Sequence, residues 1–148
     1  MKVLLQRVTR ASVTVSGELL GSIAAGLVLL VGIAKGDSRK DAQYLAQKTV
    51  GLRIFADAEN KFNLSVQDIG GELLIISQFT LLSDARKGRR PSFSDAALPA
   101  EAEKLFNDFV NEVKKSGLRV QTGRFQAHMQ VEIHNDGPVT VMLNSKET

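Results

Sequence analysis

The chain has 148 residues, 43% of them hydrophobic, and a formal net charge of +3. That length and composition fit one globular domain, residues 1–148, because a division into two would leave each half short of core. With no cysteine, disulfides and thiol catalysis are excluded, and a reducing compartment, the cytoplasm, is the expected location.

The first ten residues, "MKVLLQRVTR", interrupt their apolar run with Lys2 and Arg7, too early for an export signal. From Val3 to Val15 β-branched residues are frequent, and Val13 and Val15 alternate with Ser12, Thr14 and Ser16, which is strand periodicity. Gly17 marks a turn, and a short strand through Leu19 and Leu20 precedes Gly26. The stretch "GLVLLVGIA", Gly26 to Ala34, is far below the ~20 residues that cross a bilayer. It reads as a buried strand, Leu27 to Ile33, and no membrane partner is expected.

Ser38 and Asp41 have capping-box spacing, and Ala42, Leu45, Ala46, Thr49 and Val50 recur at helical intervals, predicting a helix from Ser38 to about Leu52. Gly70 and Gly71 make a turn before Leu73 to Ile76, a central strand delivering Ser77 and Gln78 at its C-terminal end. A second helix begins at Pro99, presents Leu105, Phe106, Phe109, Val110 and Val113 on one face, and stops at Gly117. Strands are expected at Leu118 to Thr122, at Ala127 to Ile133 and, after a Gly-Pro turn, at Val139 to Leu143. Two widely separated helices among six to eight strands favour a mixed, largely antiparallel β-sheet or barrel flanked by two main helices, over a doubly wound fold.

Four features could carry chemistry. His128 and His134, six apart on one expected strand, would share a face, but without a third ligand nearby they read as ordinary strand histidines, and no metal or cofactor is expected. "SQFT", Ser77 to Thr80, places two hydroxyls and an amide where a buried strand enters a loop; such residues end many strands, and no base adjoins Thr80 in the sequence to activate it. "ARKGRRPSF" gathers Arg86, Lys87, Arg89 and Arg90 around Gly88, which suits phosphate contacts as well as it suits a solvated loop. "NDGPVT", Asn135 to Thr140, has the composition of a tight turn. A Gly-Pro bond can also be cis at a cost of only about 0.5–1 kcal/mol, and could then aim the Gly137 and Pro138 carbonyls at an ammonium group.

"SQFTL" after a buried strand, "KGRRPSF" and "NDGPVT", in that order and spacing, resemble the motifs of the D-aminoacyl-tRNA deacylases, and the resemblance runs from "VLLQRVTRASV" to "GPVTVML". It implies the deacylase fold and a cofactor-free homodimer that hydrolyses the ester of a D-amino acid, or of mischarged glycine, on aminoacylated tRNA. It also implies that Gly137 and Pro138 enter the partner's active site and bind the substrate's amino group. Ser77, Gln78, Phe79 and Thr80 would form the catalytic side, with the Phe79 and Thr80 amides near the scissile carbonyl and Arg7 holding the Gly-Pro carbonyls. The tRNA's own 2′-hydroxyl would assist hydrolysis. A non-catalytic tRNA-binding or editing accessory domain, or a hydrolase of small esters, are the competing expectations.

Overall fold

The computed structural model describes residues 1–147. Its elements are β1 (Lys2–Val15), β2 (Glu18–Ile23), β3 (Gly26–Gly32), α1 (Arg39–Gly51), β4 (Phe55–Ala56), β5 (Phe62–Leu64), β6 (Glu72–Ser77), α2 (Pro99–Lys114), β7 (Val120–Thr122) and β8 (Gln130–Asn144), with a 3-10 turn at Phe79–Leu82 between β6 and α2.

β1 organises the sheet. Its first half pairs antiparallel with β3, from Lys2 opposite Gly32 to Val8 opposite Gly26, and its second half with β2. Along its other edge it pairs with β8 from Lys2 to Thr14. β3, β6 and β7 continue the sheet in parallel, so it is mixed, as expected. β2 folds back over β7: a Cβ added at Gly21 would lie 3.2 Å from the Gln121 side chain. The sheet is thereby carried close to closure as a barrel.

Both faces of the central strands are covered, which is why β3 and β6 read as continuous apolar runs. Leu27, Leu29, Val31, Leu73 and Ile75 join Val3 and Leu5 against Ala42, Leu45 and Ala46 of α1 and the apolar face of α2. On the opposite face Val28, Leu74 and Ile76 pack with Val8, Val13 and Ile23 beneath Met129, Val131 and Ile133. Phe109 of α2 is wholly buried, and cutting such a side chain to alanine costs ~3–5 kcal/mol. α1 starts as the sequence predicts: the Ser38 N–H donates to Asp41 Oδ2 at 2.8 Å. Burial raises the Asp41 pKa, but hydrogen bonds from Ser38, Ser145 and Lys146 outweigh it and hold the carboxyl well below the usual carboxylate range.

Two expectations are corrected. The strands Ala127–Ile133 and Val139–Leu143 are one strand, β8, because the long β1 template keeps pairing on both sides of the Gly-Pro pair. His128 precedes that strand, just after a turn where the Ala127 N–H donates to the Arg124 carbonyl, so it does not share a strand face with His134, whose Nε2 lies 2.8 Å from Glu132. The short β4–β5 hairpin was not anticipated at all. Among the described residues no cluster of three or more His, Asp or Glu could hold a metal, and no helix is long and apolar enough to cross a membrane.

Candidate active site

Ser77 is the last residue of β6, opposite Val31 of β3, and the Gln78 N–H still donates to the Val31 carbonyl at 2.7 Å. The chain then tightens into the 3-10 turn, closed first by the Leu81 N–H on the Gln78 carbonyl at 3.3 Å. The N–H groups of Phe79 and Thr80 precede that first bond, at the open end of the turn. The turn lies directly on Gly32: a Cβ there would stand 2.5 Å from Leu82 Cδ2 and 3.0 Å from the Gln78 carbonyl oxygen. Only glycine permits this approach.

Gln78 Nε2 donates to Thr80 Oγ1 at 3.1 Å. The hydroxyl oxygen is thus an acceptor, its proton free to be donated elsewhere. Among the described residues no carboxylate, imidazole or amine bonds to Thr80, so nothing on the protein is placed to deprotonate it.

The basic loop is fastened beside this turn. Asp84 and Ser92 exchange two backbone hydrogen bonds, both 2.8 Å, closing the loop at its base, and Phe93 meets Phe79 edge-on with ring centroids 5.0 Å apart. Such a pair contributes roughly 0.5–1.5 kcal/mol beyond its burial. Within the loop Arg86 is not free: its Nη2 lies 2.7 Å from Asp84 Oδ2 and its Nε 2.9 Å from Oδ1, and this fork lowers the Asp84 pKa to about 2. Lys87, Arg89 and Arg90 are exposed and have no acidic partner among the described residues.

Gly137 and Pro138 lie elsewhere. Gln6 pairs with Thr140 and Val8 with Asn135, so Arg7 alone faces the four residues Asp136 to Val139, and β8 bulges outward there. The bulge is closed at its base by Asn135, whose Oδ1 accepts from the Val139 N–H at 3.0 Å and whose Nδ2 donates to Thr140 Oγ1 at 2.9 Å. At its tip Gly137 has φ +130°, and the Gly137–Pro138 peptide is cis; both residues are exposed. Arg7 braces the bulge from below. Its Nε donates to the Asp136 carbonyl at 3.1 Å, its Nη1 to the Ile54 carbonyl at 2.8 Å, and its guanidinium sits 5.4 Å from the centre of the Phe62 ring. The contact expected of Arg7 is therefore shifted by one residue, to the carbonyl of Asp136. Ile54 and Phe62, from around the unanticipated hairpin, complete the brace.

Sheet register measures the gap between the two motifs. Arg7 is opposite Leu27 and Leu27 opposite Leu73, four residues before Ser77. Four residues along a strand are ~13 Å, and the three strand intervals from β6 to β8 add ~14 Å across the sheet. Within one chain the polar turn and the Gly-Pro bulge do not meet. The polar turn and its cationic loop lie side by side, joined by the Phe79–Phe93 contact.

Comparison with known proteins gives the family. A family model described as D-Tyr-tRNA(Tyr) deacylase matches residues 4–144. A D-aminoacyl-tRNA deacylase of Dehalococcoides mccartyi strain CBDB1 is 56% identical, covering 99% of this chain and 96% of its own. Another, of Thermoanaerobacter sp. strain X514, is 55% identical over 99% of both. A solved structure titled c-Myc DNA Unwinding Element Binding Protein superposes with a TM-score of 0.91 at 42% identity, covering 97% of this chain and 98% of its own. A probable eukaryotic D-amino acid tRNA deacylase shares the fold, with a TM-score of 0.83 at 16% identity over 96% and 97% of the two chains. The chain belongs to the D-Tyr-tRNA(Tyr) deacylase family, hydrolases of the aminoacyl-tRNA ester bond.

Proposed function

We propose that this protein hydrolyses the ester joining a D-amino acid, or mischarged glycine, to the end of tRNA, and that it does so as a homodimer in the cytoplasm. The Gly137–Pro138 bulge of each copy enters the other copy's site beside Ser77, Gln78, Phe79 and Thr80. The observation that carries this reading is the separation of the two motifs by about 13 Å along and 14 Å across a hydrogen-bonded sheet. A second copy can supply what a single chain keeps apart.

In that arrangement the Gly137 and Pro138 carbonyls accept from the substrate's α-ammonium group, and the Phe79 and Thr80 N–H groups face the scissile carbonyl, where the oxyanion develops. With amine and ester both fixed, an L side chain points into the backbone of the bulge, whereas a D side chain or a glycine hydrogen does not. D and L isomers offer identical groups, so discrimination rests on a rigid obstruction. Arg7 keeps that obstruction rigid. With no base bonded to Thr80 among the described residues, the site leaves activation of water to the tRNA's 2′-hydroxyl, with Thr80 as a positioning donor. Lys87, Arg89 and Arg90 supply phosphate contacts; Arg86 instead orders the loop through Asp84.

Deacylation of D-Tyr-tRNA and L-Tyr-tRNA by the purified protein tests the reading directly. Release of D-tyrosine with L-Tyr-tRNA left intact is expected, and equal cleavage of both would sink the chiral obstruction.

A further inference from the structure

A second feature adjoins the polar turn. A surface cavity of about 290 Å³ is walled by Lys2, Lys35, Leu82, Asp95, Asn144 and Lys146, with Met1 and Ala34 behind them. Leu82 ends the same 3-10 turn that holds Thr80, two residues on, and such a turn rises only ~2 Å per residue. The cavity wall and Thr80 therefore belong to one short turn. The cavity's volume is at the small end for ligand sites, matching one nucleotide unit and not a double helix.

Its electrostatics are asymmetric. Lys146 is spent on acids, its Nζ 3.2 Å from Asp41 Oδ1 and 3.8 Å from Asp37 Oδ1. Lys2 and Lys35 have no acidic partner among the described residues, and Lys35 is exposed. Asp95 is the acid on the wall, and it lies within electrostatic reach of Arg86. The wall is also fixed in place. The Lys35 N–H donates to the Asp95 carbonyl at 2.9 Å, and buried Asp37 accepts from the Ala34 N–H at 2.7 Å while paired with the Met1 ammonium at 2.7 Å.

We infer that this cavity is a subsite for the phosphodiester backbone of the substrate's single-stranded 3′ end, with Lys2 and Lys35 as its cations. The inference rests on the proposed deacylase reading and extends it from the ester to the nucleotides just upstream. A strand leaving the ester at Thr80 passes Leu82, meets the two lysines and continues toward Lys87, Arg89 and Arg90. Ammonium groups hold phosphates as point charges with no demand on base identity, which suits an enzyme acting on tRNAs of different sequence.

The test compares wild type with Lys2→Ala/Lys35→Ala on two substrates, D-Tyr-tRNA and the D-tyrosyl ester of adenosine, which carries no phosphate. The expected result is a fall of about five- to tenfold in the ratio of kcat/KM for tRNA to kcat/KM for the adenosyl ester, carried by KM. Uncharged tRNA binding, titrated against salt, should lose roughly 0.7 in log-log slope per lysine removed. A ratio and slope equal to wild type overturn the inference, whether or not the variant is slower on both substrates. Failure of wild type to cleave D-Tyr-tRNA would instead overturn the deacylase reading, leaving the salt titration to decide the subsite.

Discussion

Arg7 and Asp136 sit on neighbouring strands 129 positions apart, and the Arg7 Nε–H donates to the Asp136 carbonyl while lying 3.4 Å from its carboxylate. One side chain thereby fixes the backbone immediately before Gly137. Because the Ile54 carbonyl and the Phe62 ring hold the same guanidinium, Arg7 is placed before any substrate arrives.

Replacing Arg7 by Lys keeps the charge but removes the fork that spans the two carbonyls. The expected outcome is a loss of about tenfold in kcat/KM on D-Tyr-tRNA with the fold retained. Phe62→Leu, which keeps the bulk and loses the π-face, should cost less, and Phe62→Trp should restore what Phe62→Leu loses. Equal activity for Phe62→Leu and wild type would show that the ring does not brace Arg7.

Gly137 occupies φ +130°, a region where a side chain is strained, and an added Cβ would stand 2.8 Å from Val139 Cγ2 and 3.2 Å from Arg7 Nη2. Gly137→Ala should lower stability by roughly 1–3 kcal/mol in denaturant titration. Its activity on D-Tyr-tRNA should fall by more than that stability loss explains at temperatures where the variant stays folded. Full activity in folded Gly137→Ala would remove the bulge from the site.

Thr80 accepts from Gln78, and no base bonds to it among the described residues. Thr80→Ala should therefore retain measurable turnover, whereas a covalent threonine nucleophile predicts near-total loss. A substrate with hydrogen in place of the terminal 2′-hydroxyl should be cleaved at least about a hundredfold more slowly, the low end of what a positioned acid or base contributes. Undiminished hydrolysis of the deoxy substrate would assign water activation to the protein.

Gly32 has no space for a methyl group against Leu82 and the Gln78 carbonyl. Gly32→Ala must move the 3-10 turn, so kcat should drop with little change in KM for tRNA, whose phosphates in the proposed arrangement contact other residues. Crystallography of the variant should find the Gln78–Leu82 backbone displaced.

Asp41 has its carboxyl pKa lowered by hydrogen bonds that exist only in the fold. Its stabilising contribution is complete above the ordinary carboxylate value of 3.8 and is lost as pH falls toward the lowered folded value. Asp41→Asn should reduce stability at pH 7 and flatten the decline between pH 4 and pH 2, as followed by circular dichroism. Equal acid sensitivity in wild type and variant would contradict this.

Much of the architecture was legible because it is written locally. The unbroken apolar run of Leu27 to Ile33 announces a strand covered on both faces, and Ser38, Asp41, Pro99 and Gly117 mark the ends of two helices. The polar turn was legible as the end of such a strand. Continuity of β8 through Gly137 and Pro138 was not, since two turn-forming residues predict a break and only the β1 ladder, built from residues over a hundred positions away, overrides them. The β4–β5 hairpin has two- and three-residue strands, too short for any periodicity. For that reason the partners of Arg7 could not be read, although Arg7 itself could.

The spacing that keeps Ser77 and Gly137 apart in each chain has a genetic counterpart. If every working centre combines the turn of one copy with the bulge of another, a chain whose turn is ruined and a chain ruined at Gly137 can rescue each other. In a mixed dimer one centre carries both lesions and the other carries neither. Random mixing of equal amounts should then revive roughly a quarter of the centres, as the two-fold exchange of identical patches requires. In that arrangement two inactive alleles, one in the turn and one in the bulge, complement when expressed together.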